Sequence, residues 1–393
     1  DASIGSFGRK RVEFGHGVRW SEGWHGYVAG TWFDEKGWRE RSPGNLGNLF
    51  LKLGRDMGDT AWSLSYTYGR SNLIGNGLLN QSLYDINPRA GYTFYDQTWN
   101  RGDLLNFQLS HALSPRDQIA AVAWYRSSRR HGSNGDVNED WEEWVEDCED
   151  SGAPQCVNPS DPGYIHNNAV FNDSRAKYSE VGATVQWTHE AGAHKFALGA
   201  EVARSTSRYD QFDQEAVFDA NRITRPLAGE ALEHEVSLRG SSNRFSLFAA
   251  DTIKLSDQTR LDISARWNRS RVRNDLGHPD DYERESFSYS KLNPAIGITH
   301  AFGKSLIGFA NWSQGTRMPS ALELGCADPA NPCTLPVGAP WRLAPVLARW
   351  RVWRSRGPSS ARSTTTISPS CVQGFRKQAS STTSARHGAR VLN

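Results

Sequence analysis

The sequence predicts an all-β protein, an antiparallel up-and-down transmembrane β-barrel, on three observations. Apolar and polar residues alternate with period two in segment after segment. The connections between those segments alternate short and long. Aromatic residues are plentiful, with Trp 15, Tyr 12 and Phe 16, while mean hydropathy is only −0.63 and 37% of the chain is hydrophobic. Successive strand side chains point to opposite faces, so alternation gives one apolar and one wet face. A barrel that is apolar outside and polar inside fits a bilayer around a wet interior. No apolar run of about 18 residues is present, which excludes helical spans and leaves strands.

Strands are expected, in order, near 9–20, 25–33, 47–54, 60–69, 103–113, 119–129, 177–188, 195–208, 241–254, 259–272, 289–301 and 305–314. In 60–69, Trp62, Leu64, Tyr66 and Tyr68 alternate with Ser63, Ser65 and Thr67. Leu105, Phe107 and Leu109 alternate with Asn106, Gln108 and Ser110, and Val181, Ala183, Val185 and Trp187 with Glu180, Gly182, Thr184 and Gln186. Leu261, Ile263, Ala265 and Trp267 alternate with Arg260, Asp262, Ser264 and Arg266. Tight turns are expected at 21–24, 55–59, 114–118, 189–194, 255–258 and 302–304. Long polar connections are expected at 34–46, 70–102, 130–176, 209–240, 273–288 and 315–340. Short and long alternate without exception, as they do when one rim faces the periplasm and the other the exterior. Aromatic and basic residues gather at strand ends, as in Trp124, Tyr125 and Arg126, where interfacial rings settle.

Charge divides the chain at about residue 340. From Trp341 to Asn393 there are nine Arg, one Lys and no acid, leaving 35 basic against 43 acidic residues before it. The barrel segment is therefore assigned to 1–340. Residues 341–393 read as an out-of-frame, poorly ordered tail, because a basic Arg-Ser-Pro segment replaces strand sequence abruptly. Cys148 and Cys156, and Cys326 and Cys333, form two close pairs in loop-like sequence. Neither spacing fits a zinc or C-x-x-C motif, so two local disulfides in an oxidising compartment are expected.

From Leu292 to Ile298 the chain reads Leu-Asn-Pro-Ala-Ile-Gly-Ile, and from Phe309 to Ser320 it reads Phe-Ala-Asn-Trp-Ser-Gln-Gly-Thr-Arg-Met-Pro-Ser, followed by Glu323-Leu324. With the hairpin that begins at Phe245, this resembles the late-barrel segment of TonB-dependent outer-membrane receptors. The motif positions are Gly315, Arg317, Pro319 and Glu323. The resemblance implies a barrel of about 22 strands, of which about 12 are present here. It also implies an N-terminal plug with a TonB box, neither of which is read before Asp1, and further strands after Pro340, in whose place the basic tail is read as a frame shift that removes the barrel's C-terminal end. The function it implies is uptake of a scarce nutrient, a ferric siderophore or similar iron complex, across the bacterial outer membrane. The partners implied are outer-membrane lipid, the TonB energy-coupling complex through the missing plug, and the small iron chelate. A passive porin or adhesin built on a similar barrel is the alternative. No nucleic-acid partner, cofactor or metal centre is expected.

Arg260 and Arg266 on one strand and Glu180 on another are expected to project inward, to meet ligand or plug. From Asp136 to Asp150 nine carboxylates surround Trp141 and Trp144 in a predicted extracellular loop, where a cationic ligand or Ca²⁺ competes with plain solvation. Enzyme motifs fail. The His189 to His194 segment has one residue too many for H-E-x-x-H, and no nucleophile elbow or phosphate loop occurs. No enzymatic activity is expected.

Overall fold

The computed structural model describes residues 1–75, 79–94, 96–151, 156, 164–278, 281–303 and 306–325. The strands are β1 (Ala2–Ile4), β2 (Lys10–Arg19), β3 (Trp24–Glu35), β4 (Gly44–Asp56), β5 (Thr60–Gly75), β6 (Asp96–Ser114), β7 (Asp117–Val137), β8 (Ala169–Ala191), β9 (His194–Phe218), β10 (Thr224–Pro226), β11 (Glu233–Lys254), β12 (Thr259–His278), β13 (Asp281–Ala301) and β14 (Ile307–Ser313). Among the described residues three α-helices accompany them: α1 (Gln81–Ile86), α2 (Glu139–Ser151) and, after the last strand, α3 (Ala321–Gly325). Every strand pairs antiparallel with its sequence neighbour, except that β9 also pairs β11 and the short β10 lies off the path. Among the described residues the sheet is open, running from β1 to β14.

Register confirms the two faces. Trp62, Leu109, Ala121, Val185, Ala200, Leu247, Trp267 and Leu292 stand opposite one another in one row across eight strands. The neighbouring row on the other face reads Ser63, Gln108, Val122, Thr184, Glu201, Ser246, Asn268 and Lys291. Apolar side chains of the first face are left in the open, with Val181 at 55%, Leu198 at 49% and Ile263 at 44% exposure. A soluble protein hides such a band; in a bilayer it is the buried surface. From His189 to Val181 it covers about 26 Å of strand at ~3.3 Å per residue. At four places where two strands meet at the short-turn rim without a turn between them, a histidine bonds across. Thr60–His111 (2.7 Å), Asp117–His189 (2.8 Å), His194–Asp251 (2.7 Å) and Thr259–His300 (2.8 Å) tie adjacent hairpins this way.

The structure corrects several expectations. Strands run well past their predicted ends on the long-connection side, β9 by ten residues to Phe218. Beyond the apolar band both faces are polar, so alternation vanishes while backbone pairing continues. The 273–288 connection is no loop: β12 and β13 pair to their tips, His278 opposite Asp281, so connection lengths do not alternate throughout. Ion pairs such as Arg284–Asp275 (2.9 Å) replace apolar contacts there. The acidic 136–150 segment is largely helix α2, not an open loop. Asn138 caps its start by accepting from Asp140 N (3.1 Å), and the first-turn carboxylates suit a helix N-terminus. Trp124 does not sit on the apolar face with Tyr125; its indole N–H donates to Glu180 on the polar face. Cys326, Cys333 and the 341–393 tail lie outside the described residues.

Candidate ligand-binding site on the polar face

After β14 the chain turns back across the polar face. Gln314 N donates to Pro294 O (2.9 Å) and Thr316 Oγ1 to Asn293 Oδ1 (2.6 Å), fixing the exit from the strand. Ser320 and Glu323 then form a capping box. Ser320 N and Oγ donate to Glu323 Oε2 (2.8 and 3.0 Å), and Glu323 N donates back to Ser320 Oγ (3.2 Å). Arg317 joins Glu323 at 2.5 Å. Burial tends to raise the Glu323 carboxyl, but the Arg317 guanidinium and the Ser320 donors hold it below the usual carboxylate range.

This short helix is docked, not hanging. Ala321 and Leu324 pack on Val272, with Phe287 and Tyr289 around them. The buried Asn274 amide donates to Ala321 O at 2.8 Å. Gly240 makes the approach possible, because a Cβ there would lie 2.2 Å from Ala321 Cβ and 2.5 Å from Ser207 Oγ. Motif residues Arg317, Pro319 and Glu323 thus shape a strap across β11 and β12, while Gly315 keeps open space around its Cα.

Between the strap and the wall lies a cavity of about 730 Å³, lined from the strap by Met318, Pro319 and Leu322. Arg126, Arg130 and Arg244 supply charge from the wall, and Tyr178, Tyr209, Ser205 and Ser242 supply hydroxyls. Among the described residues no Asp or Glu lines it. Arg126 follows Tyr125, at the upper end of the apolar band, so the cavity begins where that band stops and extends toward the long connections.

Glu180 organises this wall from beneath. It is 4% exposed and accepts from Trp124 Nε1 (3.0 Å) and Tyr178 Oη (2.8 Å). Arg126 approaches it at 3.3 Å and Arg244 at 3.4 Å. Arg244 also reaches Glu201 (3.7 Å), which pairs with Arg266 (2.8 Å). A ladder of alternating sign therefore crosses β7, β8, β11, β9 and β12. Its carboxylates are paired within the wall, and of its cations Arg126 and Arg244 also line the cavity.

The structure brings Glu180 and Arg266 into this ladder. It leaves Arg260 exposed at the first turn of β12, near the short-turn rim and away from the cavity. Trp141 and Trp144 sit on α2; Trp144 meets Tyr164 edge-on at 5.0 Å, far from the ladder in the fold. Cys148 and Cys156 are joined by a disulfide with Cα atoms 5.4 Å apart. No cluster of three His, Cys, Asp or Glu suited to a metal ion occurs among the described residues. Sequence reading missed Arg244, Glu201 and Arg130. Their inward parity was legible, but their convergence depends on register across strands distant in sequence.

Solved structures similar in fold include the ferric citrate transporter FecA in its unliganded form (TM-score 0.61, 13% identity, 78% of this chain and 41% of that one). The ferric-catecholate import receptor Fiu of E. coli K12 is similar too (TM-score 0.61, 13% identity, 81% and 54%), as is the ferric yersiniabactin uptake receptor FyuA of Yersinia pestis (TM-score 0.56, 8% identity, 78% and 45%). The chain spans about half the length of these proteins. No curated protein matches it in sequence. Residues 25–342 match the family model described as TonB dependent receptor-like, beta-barrel. With its meander of outward-apolar strands and its strap laid over the polar face, the chain belongs to the TonB-dependent receptor β-barrel family.

Proposed function

We propose that this chain is the barrel part of an outer-membrane receptor that takes up a small anionic metal chelate, most simply a ferric siderophore or ferric carboxylate. The observation that carries the reading is the cavity whose described lining holds arginines and hydroxyls but no carboxylate. A cavity with fixed cations and apolar strap residues selects an anionic, partly apolar small molecule. It opens on the side of the long connections, the face a receptor presents to the exterior. Likeness to iron-chelate receptors supports iron as the metal, and family membership supports coupling to the TonB complex.

Tryptophan-fluorescence titration of the folded chain with ferric citrate and with a ferric catecholate tests this. One of these anions should bind, and Arg126→Ala with Arg244→Ala should weaken it by about a hundredfold or more, as expected for two charge-assisted contacts of ~1.5–3 kcal/mol each. A neutral or cationic chelate binding as tightly, or the double variant binding as well as wild type, would remove the proposal.

A further inference from the structure

One row of the outward face has an unusual composition. Arg70 of β5 stands directly opposite Arg101 of β6, Arg101 opposite Arg129 of β7, and Arg129 opposite Lys177 of β8. Lys177 stands opposite Arg208 of β9, and Arg208 opposite Arg239 of β11. Six cations on six adjacent strands thus form one transverse line, and all six are exposed. Like charges directly opposite each other destabilise a sheet, so the fold bears a repulsion that a salt-bridged surface avoids.

The row has little internal compensation. Among the described residues only Arg101 has a carboxylate in reach, Asp103 at 3.4 Å. Arg101 and Arg239 rest on the rings of Tyr68 and Tyr282, which orient the guanidinium groups without neutralising them. The next residue along, Asp275, faces Arg239 but is held by Arg284 at 2.9 Å.

Its level in the membrane identifies the partner. Tyr125 and Val181 end the apolar band, and Arg129 and Lys177 lie four residues farther along the same strands. Four residues cover ~13 Å of strand, or about 10 Å along the bilayer normal at a barrel's usual tilt. On β7 and β8 the hydrocarbon edge therefore falls at Tyr125 and Val181; on β5 the apolar face runs to Tyr68, two residues before Arg70, and on β11 it stops at Phe245, six residues from Arg239, so the cationic row crosses the headgroup region obliquely, as tilted strands require. Six strands at ~4.8 Å spacing make this line about 24 Å wide.

We propose that this row binds the phosphate-bearing headgroups of lipids in the leaflet on the long-connection side. Phosphates bridging neighbouring arginines convert the repulsion into charge-assisted hydrogen bonds, since each guanidinium offers a fork matched to phosphate oxygens. By strand parity the row's side chains alternate to the face opposite Arg126, Arg130 and Arg244, while Arg101, Arg129, Lys177 and Arg208 also border the cavity where the sheet forms its wall. The site rests on the barrel's seat in a bilayer and not on the identity of any transported ligand.

The test uses the full chain folded in zwitterionic detergent, with diphosphorylated lipid A, its dephosphorylated analogue and inorganic phosphate as probes, read by native mass spectrometry. Lipid A should bind about tenfold or more tighter than the dephosphorylated form, with a steep loss on adding salt, as phosphate contacts require. The variant Arg129→Gln, Lys177→Gln, Arg208→Gln should lose that preference and keep the wild-type circular dichroism spectrum. If the triple variant does not fold, Lys177→Gln alone should reduce the preference by about threefold, the share of one contact. Equal binding of both lipid forms, or a variant that binds lipid A like wild type, would overturn the proposal. Inorganic phosphate or a single-stranded oligonucleotide competing as well as lipid A at equal phosphate would overturn it too, by showing generic anion attraction.

Discussion

Replacing Glu180 with Gln removes one negative charge from the centre of the ladder while keeping the shape of the side chain. Glu180 is 4% exposed and takes two neutral donors, Trp124 and Tyr178, and two cations, Arg126 and Arg244. A carboxylate can accept from all four; an amide has one oxygen and must turn its NH₂ toward at least one donor. Hydrogen bonds to a charged group contribute ~1.5–3 kcal/mol and neutral ones ~0.5–1.5. Weakening two of them and opposing one donor costs about 2–4 kcal/mol. The lower end is expected, because the side chains of Arg126 and Arg244 are 51% and 34% exposed and water screens part of the loss. Urea unfolding of the chain in detergent, followed by tryptophan fluorescence, measures this directly. Combining Glu180→Gln with Arg244→Gln should cost less than the sum of the single changes by about 0.5–2 kcal/mol, since the second removes a cation the first had stranded. A single variant within about 0.5 kcal/mol of wild type, the usual range for surface changes, would show that Glu180 does not organise the wall. Additive costs would show the same of its link to Arg244.

Gly240→Leu should push α3 off the wall, because even its Cβ would collide with Ala321; hydrogen exchange across 316–325 is expected to rise by at least about tenfold, overpacking costing ~1–3 kcal/mol. Ser320→Ala removes one half of the capping box and should loosen the same segment by about 1 kcal/mol, readable in the same exchange experiment without change elsewhere. Asp213 lies near the outer end of β9, well beyond the apolar band, where burial first and then the charges of Glu235 and Glu233 push its carboxyl up to about 6. A raised folded-state value favours the protonated form, so its contribution is full below about pH 4 and is lost as pH rises through 6; Asp213→Asn should flatten the pH dependence of the unfolding midpoint between these limits, and an unchanged slope would refute the assignment. Reducing the Cys148–Cys156 bond, which spans eight residues, should release about 2–3 kcal/mol of loop restraint and speed proteolysis beside α2. We expect a second bridge between Cys326 and Cys333, to be sought by mass spectrometry of unreduced peptides.

The sequence by itself determined the hairpin order, the two faces of the sheet and the family. Each of these rests on near-neighbour information. Period two in Trp62 to Tyr68, or Val181 to Trp187, assigns a face within one strand, and a tight turn forces its two strands to pair. The inward parity of Glu180 and Arg266 was legible for that reason, and so was the outward parity of Lys177. The strand ends at Val137 and Phe218 were not, because a strand polar on both faces carries no periodic signal. Only the tertiary structure decided which residues meet across strands. Arg126 and Arg244 are separated by more than a hundred residues, and their shared carboxylate depends on register accumulated through β7, β8, β9 and β11. The row from Arg70 to Arg239 depends on five such registers at once. A shift of one residue in any of them would move a charge to the other face. Hydrogen bonding between strands fixes that register, and its energy is a sum over whole ladders that no local window of sequence contains.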